Sequence, residues 1–207
     1  MVRTTSSLNH SLDALAAAEP AFARTLETHG RPEPRLSEPG VATLLRTIVG
    51  QQVSVAAARS MWAKLTARYG QPVALESLIA ATDEELREAG LSRQKAGYAR
   101  SLATLVLSGE LDLAKLPADD EEAIALLTRI KGIGRWSAEI YLLFAEGRGD
   151  VWPAGDLAVQ IELGRMLGLD GKPTEKHLRE LAEAWRPHRG AAAVLAWHSY
   201  NKVGTAL

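Results

Sequence analysis

The chain has 207 residues, 46% hydrophobic and 24% charged, with a formal net charge of −1. That is ordinary globular composition, long enough for one large domain or two small lobes. With no cysteine, disulfides, zinc–thiolate sites and an iron–sulfur cluster are excluded. No apolar run reaches the roughly 18 residues of a membrane span, and near-neutral charge argues against a protein that coats nucleic acid by charge alone.

In chain order, Met1-Val-Arg-Thr-Thr-Ser-Ser7 lacks the apolar region of a secretion signal, so an intracellular protein is expected, with about the first eight residues loose. Val41, Leu44, Leu45, Ile48 and Val49 recur at helical spacing, as do Ala58, Trp62, Leu65 and Tyr69. Further stripes are Tyr98/Leu102/Leu105/Val106, Trp136/Ile140/Leu143/Phe144 and Leu178/Leu181/Ala182/Trp185. Breaks fall at Gly30–Pro39, Gly70–Pro72, Gly90–Ser92, Pro117, Gly132–Gly134, Gly147–Gly155, Gly168–Pro173 and Pro187–Gly190. About ten short helices and little or no sheet are expected, an all-α fold. The acidic runs Asp83–Glu85 and Asp119–Glu122 read as helix starts, where carboxylates favour the dipole. Basic residues gather beside turns at Arg93/Lys95/Arg100 and Lys131/Arg135 and could form a local patch. Trp62, Trp152 and Trp185 read as packing residues. His177, His188 and His198 show no metal spacing.

The most informative stretch is Leu127-Thr-Arg-Ile-Lys-Gly-Ile-Gly-Arg-Trp-Ser-Ala138, a Gly-x-Gly turn between two amphipathic segments. Gly132 and Gly134 permit positive φ and let a ligand approach the backbone. Ile133 between them would tuck inward. Amides around Gly132, Gly134 and the turn at Ser137 would open the second helix toward a phosphate oxygen; the plain alternative is a helix–helix corner closed by glycine. Asp156 follows in Val151-Trp-Pro-Ala-Gly-Asp156, and by itself reads as the N-cap of a helix over Leu157–Met166.

Leu127 to Ala138, with Asp156 about twenty residues beyond Trp136, resembles the signature of the helix-hairpin-helix (HhH-GPD) DNA glycosylase superfamily. Ile48-Val-Gly-Gln-Gln-Val-Ser-Val-Ala-Ala57 resembles specifically its alkylbase branch, of 3-methyladenine DNA glycosylase II type. Trp185-Arg-Pro-His-Arg189 with Ala196-Trp197 is a third match, so the likeness runs from about residue 41 to 200. It implies a two-lobed helical fold with the active cleft between lobes and no β domain. One lobe would be residues 41–148 and the other 1–40 plus 149–207.

The resemblance also implies chemistry. Asp156 falls at the catalytic position, where a carboxylate stabilises the sugar cation that develops as the glycosidic bond breaks. Bifunctional relatives carry a nucleophilic lysine just after the hairpin; here that position is Trp136, and an indole is no nucleophile. A monofunctional enzyme is therefore expected, leaving an abasic site without cutting the strand. Trp136 and Trp197 match base-pocket tryptophans, suited to a cationic alkylated base by cation–π attraction. In the turn Gln51-Gln52, Gln52 falls where a residue fills the gap left by the flipped nucleotide, a place where alkylbase relatives carry leucine. Lys95 falls where relatives place a lysine near DNA, with a solvated helix start as the alternative. Main-chain carbonyls of Thr128, Ile130 and Ile133 would hold a Na+ or K+ ion bridging to phosphate. No organic cofactor is implied; the expected partner is double-stranded DNA with a damaged base, bound by a monomer. A glycosylase for deaminated or oxidised bases and a non-catalytic DNA-binding module are the alternatives.

Overall fold

The computed structural model describes residues 4–204. In chain order the α-helices are α1 (Thr5–Ala18), α2 (Pro20–His29), α3 (Val41–Gly50), α4 (Val55–Tyr69), α5 (Leu75–Ala80), α6 (Asp83–Glu88), α7 (Arg93–Leu107), α8 (Asp120–Leu127), α9 (Arg135–Phe144), α10 (Leu157–Met166), α11 (Glu175–Leu181) and α12 (Arg189–Gly204). One short 3-10 helix, Ala182–Trp185, follows α11. No strand occurs among the described residues, as the all-α reading requires. The helices outnumber the expected ten because α5 and α6 have six residues each, too few to show a stripe, and because Pro20 starts α2 just after α1 ends. Within the segment expected to be loose, Thr5–Leu8 are helical. The Thr4 hydroxyl caps α1 by accepting the Ser7 amide at 3.0 Å; residues 1–3 lie outside the described residues.

The chain divides into two compact units, Glu38–Tyr141 and Met1–Ser37 with Leu142–Leu207. The expected bounds, 41–148, differ at both ends: α9 itself carries the division, so 142–148 go with the terminal unit.

In the central unit α3 packs on α4 and α7, and α7 on α5 and α6. Leu44, Leu45, Ile48, Leu65, Leu78, Leu86 and Leu102 are fully buried. Both acidic runs open helices. Thr82 and Glu85 form a capping box on α6, and Asp119 caps α8 through the Glu122 amide at 2.9 Å. The stripe expected on α7 is rotated: Lys95, Ala96, Ala99, Leu102 and Ala103 face inward, whereas Tyr98 is only half-buried. On α9, Leu143 is buried as expected, together with Ala138, Glu139, Tyr141 and Leu142, while Trp136 is exposed.

In the terminal unit α12 is central, packed on α1, α2 and α10. Seven successive residues, Gly190 to Ala196, are buried, as expected of a helix surrounded on all sides. A Cβ at Gly190 would stand 2.7 Å from the Gly149 carbonyl, so the 147–155 loop lies directly on this helix. Trp152 and Trp185 are packing residues as expected. They meet edge to face at 5.8 Å, and Trp185 meets Phe22 at 5.0 Å. This unit positions the loop that ends at Asp156.

Candidate functional site

The hairpin spans 128–134, between α8 and α9. Its inner side is apolar, with Leu127, Ile130 and Ile133 all buried. The Ile133 amide donates to the Ile130 carbonyl at 3.0 Å, and the Lys131 amide donates to Ser101 Oγ at 3.1 Å. Gly132 has φ 83, and a Cβ there would lie 2.2 Å from Tyr98 Cδ2. Gly134 differs: its φ is not positive, and a Cβ would meet no other part of the chain within 4 Å. The expectation of positive φ at both glycines is therefore corrected to Gly132 alone. At Gly134 the fold itself demands no glycine, and the backbone lies open.

An open pocket of about 660 Å³ beside the hairpin collects six residues singled out from sequence: Gln51, Gln52, Lys95, Gly132, Trp136 and Ser137. Gln51 Nε2 donates to the Gly132 carbonyl at 2.7 Å, tying the α3–α4 turn to the hairpin. Gln52 is exposed with φ 55, among the described residues the one non-glycine with positive φ. Trp136, on the first turn of α9, is 48% exposed.

Tyr98 and Arg46 also line the pocket and were missed as site residues. Tyr98 packs on Gly132 and accepts from Gln94 Nε2 at 2.6 Å. Arg46 stacks over the Trp62 ring at 4.6 Å, a hydrocarbon-and-charge contact that helical spacing does not announce.

Lys95 is not the solvated helix start that was the alternative reading. Its side chain is buried and Nζ donates to the Val49 carbonyl at 2.7 Å, capping the end of α3. Burial pulls its ammonium below the usual lysine range. The wider basic patch is also largely neutralised. Arg100 pairs with Asp83 and bonds the Ala81 carbonyl, while Arg135 pairs with Glu121 and with buried Glu139. These carboxylates hold the Arg135 guanidinium above its usual value.

In the terminal unit Asp156 stands at the N-terminus of α10. Its Oδ1 accepts from the Val159 amide at 3.0 Å and from Trp197 Nε1 at 3.0 Å. The N-cap reading of Asp156 therefore holds, and the same oxygen is gripped by an indole from 41 residues away. The Trp197 ring lies against Phe144 with centroids 5.6 Å apart, which fixes the plane from which its N–H donates. Trp197, assigned to a base pocket from sequence, is here bonded to the Asp156 carboxylate. Among the described residues no three His, Cys, Asp or Glu side chains could together hold a metal ion.

The model of the HhH-GPD superfamily base excision DNA repair protein matches residues 45–187, which takes in the Gln51-Gln52 turn, the hairpin and Asp156. The chain belongs to the HhH-GPD superfamily. It is 33% identical over 159 residues to DNA-3-methyladenine glycosylase 1 of Schizosaccharomyces pombe, covering 74% of this chain and 69% of that protein. Among solved structures, a DNA-3-methyladenine glycosidase from Bacillus halodurans superposes with a TM-score of 0.84 at 30% identity, over 94% of this chain and 91% of the other. The S. pombe 3-methyladenine DNA glycosylase in complex with abasic DNA matches with a TM-score of 0.77 at 26% identity, over 94% and 97%. These relatives place this HhH-GPD protein in the alkylbase branch. The chain spans 57% of the length of another matching protein, from Bacillus subtilis. No helix among the described residues is long and apolar enough to cross a membrane.

Proposed function

We propose that this chain is a monofunctional DNA glycosylase that hydrolyses the N-glycosidic bond of alkylated bases in double-stranded DNA, leaving an abasic site in base-excision repair. The observation that carries this is Asp156, a carboxylate held at a helix N-terminus by the Val159 amide and the Trp197 indole N–H. A non-catalytic DNA-binding module has no use for so constrained an acid.

A base inside the duplex is unreachable, so the target nucleotide is turned out of the stack. As the C1′–N bond lengthens, positive charge develops on the sugar. The pre-aimed Asp156 carboxylate stabilises that charge without having to reorganise. Water adds to C1′ and gives up a proton to the surrounding solvent, and the cationic base takes the bonding pair and leaves neutral. Trp136 offers an exposed aromatic face to a base carrying positive charge from N3 or N7 alkylation. With an indole where bifunctional relatives have lysine, no Schiff base forms. Gln52, on its strained turn, fills the vacated place in the duplex, while the open backbone at Gly134 and the amides leading to Ser137 receive a phosphate.

The main-chain carbonyls of Thr128, Ile130 and Ile133, all neutral oxygens, would hold a Na+ or K+ ion, the Ile130 oxygen keeping a lone pair beyond its bond from Ile133. Bound there, the ion would supply positive charge toward a DNA phosphate.

The test is release of free methylpurine from alkylated DNA by the parent and by Asp156→Asn, with borohydride trapping alongside. Release should fall at least about a hundredfold in the variant, with no trapped covalent adduct in either. Equal release by both proteins sinks the role of Asp156, and an adduct sinks the monofunctional reading. Activity confined to deaminated or oxidised bases on a panel of lesion duplexes would replace the substrate class.

A further inference from the structure

Residue 160 brackets Asp156 from both sides along the chain. Its main-chain amide donates to the Asp156 carbonyl at 2.9 Å, as the first turn of α10 requires. Its side chain reaches back the other way, and Nε2 donates to the carbonyl of Ala154, two residues before the acid, at 2.9 Å. The far side of the same amide is held too, since Lys172 Nζ donates to Gln160 Oε1 at 2.9 Å.

The chemistry leaves this amide one orientation. Lysine only donates and a carbonyl only accepts, so Oε1 must face Lys172 and Nε2 must face Ala154. Gln160 is buried. A buried side-chain amide is costly unless both ends are bonded, and an apolar residue would fill the space without that cost. The polar groups are therefore spent on one thing, the path of the chain into Asp156. Ala154 is itself fully buried, and the Asp156 amide donates to Pro153 at 3.0 Å, so a shift at Ala154 is passed directly to the acid.

We infer that Gln160 is a positioning residue for Asp156, with Lys172 setting the orientation of its amide. The inference rests on the reading of Asp156 as the catalytic carboxylate. Gln160→Leu removes both bonds. Gln160→Glu keeps the Lys172 partner but cannot donate to Ala154 when ionised. Lys172→Met frees the amide with little change in the core, and Lys172→Arg restores a donor.

The experiment reads base release in single turnover, affinity for an abasic-site duplex, and the NMR signal of the Trp197 indole N–H, identified by its loss in Trp197→Phe. That N–H donates to Asp156 Oδ1, so it reports the carboxylate's position without activity. Expected are a fall in base release of about tenfold to a hundredfold for Gln160→Leu and Gln160→Glu, little change in duplex affinity, and a shifted, faster-exchanging indole signal. Lys172→Met follows in the same direction and Lys172→Arg recovers. In an Asp156→Asn background Gln160→Leu adds no further loss, because both act through one group. An unmoved indole signal overturns the inference, and so does a full additional loss in that background. If Gln160→Leu does not fold, the Lys172 pair decides by the same signals. If Asp156→Asn alone retains activity, the catalytic reading fails, while the indole signal still decides whether the clamp aims that carboxylate.

Discussion

The two glycines of the hairpin should respond to alanine in opposite ways. Gly132→Ala meets two costs. A non-glycine residue at φ 83 gives up about 1–2 kcal/mol. The new methyl would also stand 2.2, 2.3 and 2.6 Å from three Tyr98 ring carbons, far inside ordinary contact at roughly 3.5–4.0 Å. Moving the ring disturbs its 2.6 Å bond from Gln94, and overpacking of this kind costs about 1–3 kcal/mol. The total is about 2–5 kcal/mol, large for a single substitution. Gly134→Ala has neither cost and should stay within about 0.5 kcal/mol of the parent. Its methyl would nevertheless cover the backbone proposed to receive phosphate. Urea unfolding measures the first effect and titration with an abasic-site duplex the second. Adding Tyr98→Ala to Gly132→Ala should recover the overpacking share and leave the φ share, giving a favourable coupling of about 1–3 kcal/mol. Parental stability in Gly132→Ala, or equal instability in Gly134→Ala, would refute the reasoning.

Two further outcomes follow from the site. Trp197→Phe keeps a ring against Phe144 but removes the N–H that holds Asp156. Losing a hydrogen bond to a charged group, about 1.5–3 kcal/mol, should slow single-turnover base release by roughly 10- to 150-fold, with duplex affinity little changed; loss of affinity with unchanged rate would return Trp197 to a purely base-binding role. Lys95 and Arg46 should separate by salt dependence and pH. Arg46→Ala lowers the slope of log affinity against log salt by about one if it meets a phosphate, and Lys95→Met leaves that slope unchanged because its Nζ is committed to Val49. Since burial lowers the folded Lys95 pKa below the ordinary 10.5, the unfolded chain binds the extra proton between the two values. Stability therefore rises with pH through that window, and Lys95→Met should flatten the rise in urea midpoints; an unchanged profile would contradict the burial.

Part of this was legible before any coordinates, because it depends on near neighbours in the chain. Apolar spacing announced the helices, the acidic runs Asp83–Glu85 and Asp119–Glu122 together with Asp156 announced helix starts, and Gly132 marked a turn that only glycine tolerates. The motif also set Gln51, Trp136 and Ser137 together, and the structure does bring them to one pocket. Other features were decided by which surfaces meet. Nothing around Lys95 in the chain tells that its ammonium would be folded inward onto Val49, since a helix start is exposed or buried according to what packs on it. The ring of Tyr98 explains Gly132 from 34 positions away, and Trp197 grips Asp156 across 41. Gln160 looks like any polar helix residue until its amide is found between Ala154 and Lys172. Local sequence determines backbone conformation through short-range sterics and hydrogen bonds. The aim of a side chain depends on long-range packing, and that exists only once the chain has folded.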